Sequence, residues 1–467
     1  MISSTLTFPG VLHEATMAHL YPGDGLESAA ILLCSRTPEP RLRLLVREII
    51  RIPDEECKVR EKDSIYWPGA YLEKAIDLAE ADDLTIVLIH SHPGGLYAFS
   101  GADDASDRAV LPSLFQALGK LHGTAIMTPD GAVRARLYDS NLAPRPMDLV
   151  TVAGHDLLFW WDSDARLGQK TRRPIAFTSG MTAELKRLSA ALIGVSGMGS
   201  VSGEQIARMG FGHVSLIDFD KVEFRNLNRI LNSTLSDAEN HRLKAEMFAD
   251  AVAGYRGDGV ASPVPASILT REAVLAASQC DVLFCCVDTL EARQIADLIS
   301  SAFLIPMFDV GVAIPTRKTK EVEGVAIADV CGRIDYVQPG RSTLQDRGVY
   351  SPESLRAEYL RAAAPDAHRQ ELEAGYIKGL MEEAPSVITL NMRASSACVN
   401  EFIARAYPFR LEPNHRYART SFSLAACEEE YFAEGEFTSA ANPVLGRGAK
   451  EPLLGLPILG PPKGCKK

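Results

Sequence analysis

Short apolar runs separated by polar turns fill the first part of the chain. AAILLC (29–34), LRLLVREII (42–50), LTIVLIH (84–90), GTAIMTP (123–129) and AVRARLY (132–138) have the length and side-chain content of strands. One helical pattern, YLEKAIDLAEA (71–81), stands among them, so residues 1–145 read as a small α+β domain. Residues 146–173, which follow the APRP turn and hold LLFWWD and KTRR, read as a linker that packs in part. From residue 174 the pattern changes. SAALIGV (189–195), EQIARMG (204–210), HVSLIDFD (213–220), CDVLFCCVD (280–288) and LIPMFDVGV (304–312) alternate strand with helix, which predicts an α/β domain with a mostly parallel sheet over 174–410. Residues 411–467, with LLGLPILGPPKG near their end, read as an irregular tail.

The 467-residue length fits two domains better than one core. A hydrophobic fraction of 46% and a charged fraction of 23% describe a globular chain. A net charge of −11 argues against nucleic acid as partner, because phosphates are gathered by a basic field. No apolar run reaches the roughly 18 residues of a membrane span, and MISSTLTFPG lacks the basic and apolar regions of a secretion signal. The expectation is a cytoplasmic protein with no membrane partner. Nine cysteines spread over this length, two of them adjacent at Cys285 and Cys286, do not form a disulfide framework, and most are expected as buried thiols.

The stretch LIHSHPGGLYAFSGADD (88–104) carries the first chemistry. His90 and His92 are two apart, so on a strand both imidazoles leave one face. Seven residues separate His92 from Ser100, and Asp103 follows at the start of an expected helix. Two imidazoles and a carboxylate make a three-ligand zinc set whose fourth position is left for water, the arrangement of a catalytic site. Ser100 is placed to hydrogen-bond a developing oxyanion. This HxH, seven residues, SxxD pattern resembles the JAMM (MPN+) metalloproteases over about residues 10–145. The resemblance implies a cytidine-deaminase-like MPN fold and hydrolysis of peptide or isopeptide bonds that follow a ubiquitin-like modifier. It implies Glu27, in GLESAAILLC, as general base, with Glu48 as second choice.

The second block carries another pattern. In ALIGVSGMGSVSGEQIARMG, Gly194, Gly197 and Gly199 stand between a strand and a helix, where backbone N–H groups can approach a phosphate. Asp218 ends the next strand, where an acid holds a ribose. Asn226, Asn228 and Arg229 then form a polar cluster that a dehydrogenase does not need and a triphosphate does. Together with Lys244 in HRLKAEMF and Asp288 in CVDTLEAR, these residues resemble the ThiF/MoeB-type adenylation domain shared with ubiquitin-activating (E1-like) enzymes, over about residues 170–410. The resemblance implies ATP and magnesium, and adenylation of the C-terminal glycine of a ubiquitin-fold protein. It gives Asp218 the ribose, Asn226, Arg229 and Lys244 the phosphates, and Asp288, with Asp220, the magnesium. Arg229 and Lys244 thereby count as catalytic as well as binding. It implies a homodimer in which Arg172 or Arg173 reaches the other protomer's nucleotide, while Arg293 reads as structural.

The sequence also departs from that family. STLQDRG (342–348) stands where relatives carry a CxxC, and Cys427 alone lies near the second such pair, so a structural zinc site is not expected. No thioester cysteine is evident, and Cys331, Cys398 and Cys427 remain by elimination. The two resemblances together imply a bifunctional enzyme of the kind found in bacterial conjugation systems. One half trims or removes a ubiquitin-like modifier and the other activates its terminal glycine, with an E2-like conjugating enzyme as a further partner. The alternatives are activation of a sulfur-carrier protein for cofactor or metabolite synthesis, and a modifier-binding scaffold with one inactive site.

Overall fold

The computed structural model describes residues 4–460 apart from 38–39, 120, 167, 171, 319–324 and 365–386; the Pro and Gly residues after 460 and Cys465 lie outside the described residues. The chain divides into two compact units. One holds residues 1–173, 301–304 and 443 onward, and the other holds 174–300 and 305–442.

The first unit is built on a nine-stranded mixed sheet. In chain order its elements are β1 (Ser4–Pro9), α1 (Gly10–Leu20), β2 (Ala29–Arg36), β3 (Leu42–Arg51), β4 (Val59–Arg60), β5 (Ile65–Tyr66), α2 (Ala70–Asp82), β6 (Thr85–Ser91), α3 (Gly101–Leu118), β7 (His122–Met127), β8 (Val133–Tyr138), β9 (Pro144–Pro146), β10 (Leu149–Ala153) and β11 (Leu157–Trp161). The sheet order is β11-β10-β1-β3-β2-β6-β7-β8-β9, with β4 and β5 forming a separate small hairpin. The run AAILLC is apolar at every position because β2 is central and both of its faces are covered. Ala30, Leu32 and Cys34 enter one core with Leu6, Phe8 and Val87. Ala29, Ile31 and Leu33 enter the other core with Ala75 and Ala79 of α2 and Leu111 and Leu114 of α3. β2 pairs antiparallel with β6 and sets Ala29 opposite His90, so the turn before β2 meets the end of β6.

The expected linker is not one. Its aromatic cluster LLFWW is β11, and β10 and β11 extend the sheet beside β1, because an apolar segment finds partners at an open sheet edge.

The second unit continues with α4 (Ser179–Leu185), β12 (Ser189–Ile193), α5 (Gly197–Met209), β13 (His213–Ile217), α6 (Leu235–Glu239), α7 (Lys244–Arg256), β14 (Ala261–Val264), α8 (Arg271–Ser278), β15 (Val282–Cys285), α9 (Leu290–Phe303), β16 (Met307–Ala313), β17 (Thr316–Lys318), β18 (Val325–Ile327), β19 (Cys331–Val337) and α10 (Pro352–Ala363). After a long helix, Ile388–Ala406, come β20 (Arg419–Ser423) and β21 (Glu428–Phe432). The eight-stranded sheet runs β14-β13-β12-β15-β16-β19-β20-β21. β14 to β16 pair in parallel, and β19 to β21 add an antiparallel half. The chain moves outward from β12 to β13 and β14, then returns to the far side of β12 for β15, so the order reverses beside β12. At such a reversal the crevice at the carboxyl ends of the strands is open to a ligand.

The expected irregular tail also differs. β20 and β21 belong to this sheet, and residues from 443 return to the first unit, where Gly446 O accepts from Ser35 Oγ and Lys450 pairs with Asp82 at 2.7 Å. Such pairings are non-local and leave no periodic signature in the sequence. Among the described residues no helix is long and apolar enough to cross a membrane.

One buried acid ties α9 to the loop that follows β19. Asp297 accepts hydrogen bonds from Leu344 N at 2.9 Å and from the Tyr350 hydroxyl at 2.8 Å. Burial pushes its carboxyl up to about 7, against the pull of those donors. The folded chain therefore holds this proton over a range where the unfolded chain has lost it, so stability falls as pH rises from the ordinary value of 3.8 through about 7. Asp297→Asn is expected to flatten that slope. Urea midpoints measured from pH 4 to 8 check it, and an unaltered slope in the variant would assign the pH dependence to other groups.

Candidate functional sites

In the first unit, β6 ends in His90 and Ser91 and passes straight to His92, and α3 begins at Gly101 with Ser100 as its N-cap. Ser100 Oγ accepts from Asp103 N at 3.2 Å, and Asp103 Oδ2 accepts from Ser100 N at 2.6 Å. This reciprocal capping box fixes Asp103 in the first helical turn and aims its carboxylate back at the histidines. The Asp103 oxygens lie 3.0 Å from His90 Nε2 and 3.5 Å from His92 Nε2, and the two Nε2 atoms are 3.1 Å apart. Ligands about 2.05 Å from a tetrahedral zinc stand about 3.3 Å from one another. The donor set therefore fits that ion. His92 Nδ1 donates to the Leu96 carbonyl at 2.8 Å, so a metal would meet this ring at Nε2 once the proton there is lost.

Glu27 is buried on the turn before β2, and its carboxylate lies within 4.8 Å of both imidazoles. Burial raises its pKa against the pull of His90 and His92, as suits a group that takes and returns a proton. Burial also works to raise Asp103, but the hydrogen bonds from His90 and His92 outweigh it and hold that carboxyl well below the usual range. Glu48 is exposed on β3 opposite Leu33 and takes no part in this cluster. A residue that sequence reasoning passed over holds Glu27 in place. Arg60 of β4 donates to Ser28 Oγ at 2.9 Å, pairs with Asp24 and Asp54, and stands beside Glu61, whose carbonyl accepts from Glu27 N at 2.8 Å. Those partners are more than thirty residues from Arg60 in the case of Asp24 and Ser28, and no local motif announces them.

In the second unit, Gly194 follows the end of β12 with φ +87°, and its amide donates to Ile217 O at 2.9 Å. A Cβ on Gly194 would lie 3.0 Å from Cys286 O, just past the end of β15, and a Cβ on Gly199 would lie 1.8 Å from Gly194 O. The glycine turn is thus wedged between the two strands where the order reverses. Asp218, at the end of β13, accepts from Val195 N at 2.7 Å and from Asp220 N at 2.8 Å, and its burial raises its pKa. Gly197 lets the Arg229 stem come close; a Cβ there would lie 3.3 Å from Arg229 Cδ and 2.5 Å from Asn391 Nδ2. Asn391 comes from the helix Ile388–Ala406 and was not foreseen, because its approach to the turn is purely tertiary. Buried Asn226 caps its own turn, with Oδ1 accepting from Glu223 N at 3.1 Å. Arg229 donates to Arg225 O at 2.7 Å and to Asn228 Oδ1 at 3.1 Å. Lys244, buried at the start of α7, pairs with Asp220 at 2.8 Å. Asp288 is exposed beyond β15, two residues after Cys286.

Other expected roles meet a structural context. Arg293 is buried, with Nε 3.1 Å from Asp309 Oδ1 and a terminal nitrogen 3.2 Å from Val310 O, in keeping with a structural part. Arg172 is exposed, and Arg173 pairs with Asp156 at 3.9 Å. Cys398 is buried, its thiol pushed well up by that burial; Cys331 is half-buried and also raised by burial; Cys427 is exposed in the turn between β20 and β21.

These two constellations place a cluster of histidines and carboxylates ahead of a glycine turn at a strand reversal in one chain. Residues 9–137 match the family described as prokaryotic homologs of the JAB domain, and residues 171–328 match the ThiF family. The chain thus carries a JAB-type domain followed by a ThiF-type, E1-like domain. It is similar to ubiquitin-like modifier-activating enzyme 5 from Culex quinquefasciatus (25% identity, 34% of this chain and 38% of that protein), from Caenorhabditis elegans (26%, 35% and 38%) and from Arabidopsis thaliana (27%, 34% and 37%). It spans less than two-fifths of the length of these curated relatives. Among solved structures it is similar to E. coli MccB with ATP, at 15% identity and a TM-score of 0.41 over 57% of this chain and 68% of that one, a likeness too loose to bear on the sites.

The glycine contacts make a prediction. Gly199→Ala meets backbone at 1.8 Å and must force the turn apart, whereas Gly197→Ala meets the ends of flexible side chains. The urea midpoint of Gly199→Ala is expected to fall well below that of Gly197→Ala. Equal midpoints would mean that the turn is not wedged.

Proposed function

We propose that the chain is a bifunctional enzyme acting on a ubiquitin-like protein, a peptidase in its first unit and an adenylating enzyme in its second. The observation that carries the reading is the presence, in one chain, of a JAB-type domain whose donor atoms stand at tetrahedral spacing and a ThiF-type domain whose glycine turn, Asp218 and Arg229 meet at the strand reversal.

In the first reaction His90, His92 and Asp103 would hold zinc, which supplies a water of lowered pKa and polarises the scissile carbonyl. Glu27 would take a proton from the attacking water and return it to the leaving amine, and the Ser100 hydroxyl would donate to the carbonyl oxygen as charge develops there. Ser100 Oγ already accepts from Asp103 N, so its own proton is left to be donated inward. In the second reaction Asp218 holds the ribose, and the turn from Gly194 to Gly199 brings backbone N–H groups to the phosphates. Asn226, Arg229 and Lys244 contact the triphosphate, and Asp288 with Asp220 would hold magnesium. Lys244 and Asp220 form an ion pair before substrate arrives, which keeps the buried ammonium satisfied until a phosphate replaces the carboxylate. The partner is a ubiquitin-like or sulfur-carrier protein ending in glycine. An E2-like enzyme, a homodimer and a cytoplasmic setting complete the reading.

Burial disfavours the thiolate at Cys331 and Cys398, which supports the second reading, transfer of the activated carboxylate to an outside nucleophile in sulfur-carrier activation.

The two activities should separate by mutation. His90→Ala is expected to lose bound zinc, measured by metal analysis, and peptide cleavage, while ATP–pyrophosphate exchange persists. Lys244→Ala is expected to lower exchange by about 100-fold or more with zinc retained. Loss of both activities in either variant would sink the claim of independent sites, and absence of exchange with every glycine-ended ubiquitin-fold protein tried would sink the adenylation reading.

A further inference from the structure

The capping box fixes Asp103 to Ser100 but does not set how far the start of α3 stands from β6, which carries the histidines. Sheet register supplies the link. Leu88 of β6 lies opposite Thr124 of β7, and Thr124 lies opposite Arg136 of β8, so the three form one cross-strand row. His90 is two residues from Leu88 and leaves the same face, the one that packs against α3. Arg136 thus stands two strand spacings, about 10 Å, from Leu88 on the sheet that carries His90. From there it reaches the start of α3 at several points. One terminal nitrogen donates to Asp104 Oδ1 at 2.6 Å, and the other, with Nε, donates to Asp107 Oδ2 at 2.7 and 3.1 Å. Its guanidinium carbon lies 3.8 Å from the centre of the Phe99 ring. Phe99 precedes Ser100 and Asp104 follows Asp103, so one buried side chain grips both flanks of the turn from Ser100 to Asp103. Asp107 is locked in its turn, because Thr124 Oγ1 and the Tyr138 hydroxyl donate to the same Oδ2 at 2.8 and 2.6 Å.

We propose that Arg136 is a positioning residue for metal binding, which sets the reach of Asp103 to His90 and His92 by clasping the start of α3 to β7 and β8. The proposal rests on the zinc reading of that cluster. Two features separate the clasp from ordinary packing. The first is its chemistry. The layer between α3 and the sheet is mostly apolar, with Ile86, Leu111 and Leu114 buried in it. An apolar pair of equal volume would hold helix to sheet at least as firmly as a buried arginine and aspartate. What the guanidinium adds is direction, since its planar fork bonds at one distance and one rotation of the helix. The second feature is its place. α3 runs to Leu118, yet Arg136 holds only its first two turns and the residue before its cap. A tetrahedral ion tolerates little error in the spacing of its ligands, so loosening the clasp weakens metal binding before it loosens the fold.

The test uses the full chain, stripped of metal with a chelator. It is titrated with zinc against a chromogenic competitor, and with cobalt(II), whose visible absorption reports ligand geometry. Arg136→Met is expected to weaken zinc binding by about 10- to 100-fold, the range for partners that orient ligands, and to lower and shift the cobalt absorption. Arg136→Lys keeps the charge without the fork and is expected not to restore affinity. Asp104 is half-exposed, so its variants spare the fold. Asp104→Ala is expected to weaken zinc binding several-fold, and Asp104→Asn, which keeps an acceptor for Arg136, to bind as the parent does. Arg41→Met controls for general destabilisation, because it removes a buried arginine that donates to Thr5 Oγ1 at the end of the sheet away from His90. Its urea midpoint is expected to fall while its zinc affinity stays. Unchanged zinc affinity and cobalt absorption in Arg136→Met and Asp104→Ala overturn the proposal, as does a loss of affinity in Arg41→Met equal to that in Arg136→Met. If Arg136→Met does not fold, Asp104→Ala decides by the same two readings. A parent chain that takes up neither ion overturns the zinc reading and the proposal with it, whereas uptake that the variants leave unaltered overturns the proposal alone.

Discussion

Two aspartates without solvent exposure, Asp309 on β16 and Asp335 on β19, hold the second unit together across the change from parallel to antiparallel sheet. Arg293 reaches Asp309 from α9, Arg333 spans Asp309 and Asp335, and Arg347 and Arg419 close on Asp335 from the following loop and β20. Arg347 also meets Glu434 at 2.9 Å. Burial works to raise Asp335, but the arginines outweigh it and hold the carboxyl down. Such a chain of charges adds little net stability against an apolar core of equal volume, yet removing one member strands the rest at about 3–5 kcal/mol. Its value is in register. The network ties β16, β19 and β20 together in the register that sets their residues side by side.

The candidate crevice at the strand reversal depends on the same sheet at its other end. The turn between β12 and α5 folds back so tightly that Gly199 has no room for a side chain against the Gly194 carbonyl, and Gly194 itself packs against the Cys286 carbonyl beyond β15. That closeness sets the glycine turn beside Cys286 and so places Asp288 at the rim of the crevice. α9 starts there too, its first amides capped by Glu358 of α10 at 2.9 to 3.0 Å.

The histidine and carboxylate cluster of the first unit is assembled by shorter reach. The pairing of β2 with β6 brings the turn carrying Glu27 to the histidines, and the capping box at Ser100 turns Asp103 onto them. Ser100 therefore has a structural duty that any account of its chemistry must include. The Arg60 clamp on Asp24, Asp54 and Ser28 adds the long-range part, holding the turn of Glu27 against the small β4–β5 hairpin.

Much of both candidate sites was legible because their groups sit on short, local patterns. HxH on a strand fixes two imidazoles to one face, SxxD at a helix start is a capping box, and a glycine turn between strand and helix has few geometries. The strands AAILLC and CDVLFCCVD announced themselves by continuous apolar character, which a strand covered on both faces requires. What tertiary structure alone decided is whatever needs a partner far along the chain. LLFWW became β11 because β10 offered an edge, and β20 and β21 became sheet rather than tail because β19 did. Asn391 and Arg60 became neighbours of the two sites through packing that no spacing encodes. Periodicity records how one segment meets its own surroundings, whereas strand order and side-chain convergence are properties of the closed chain.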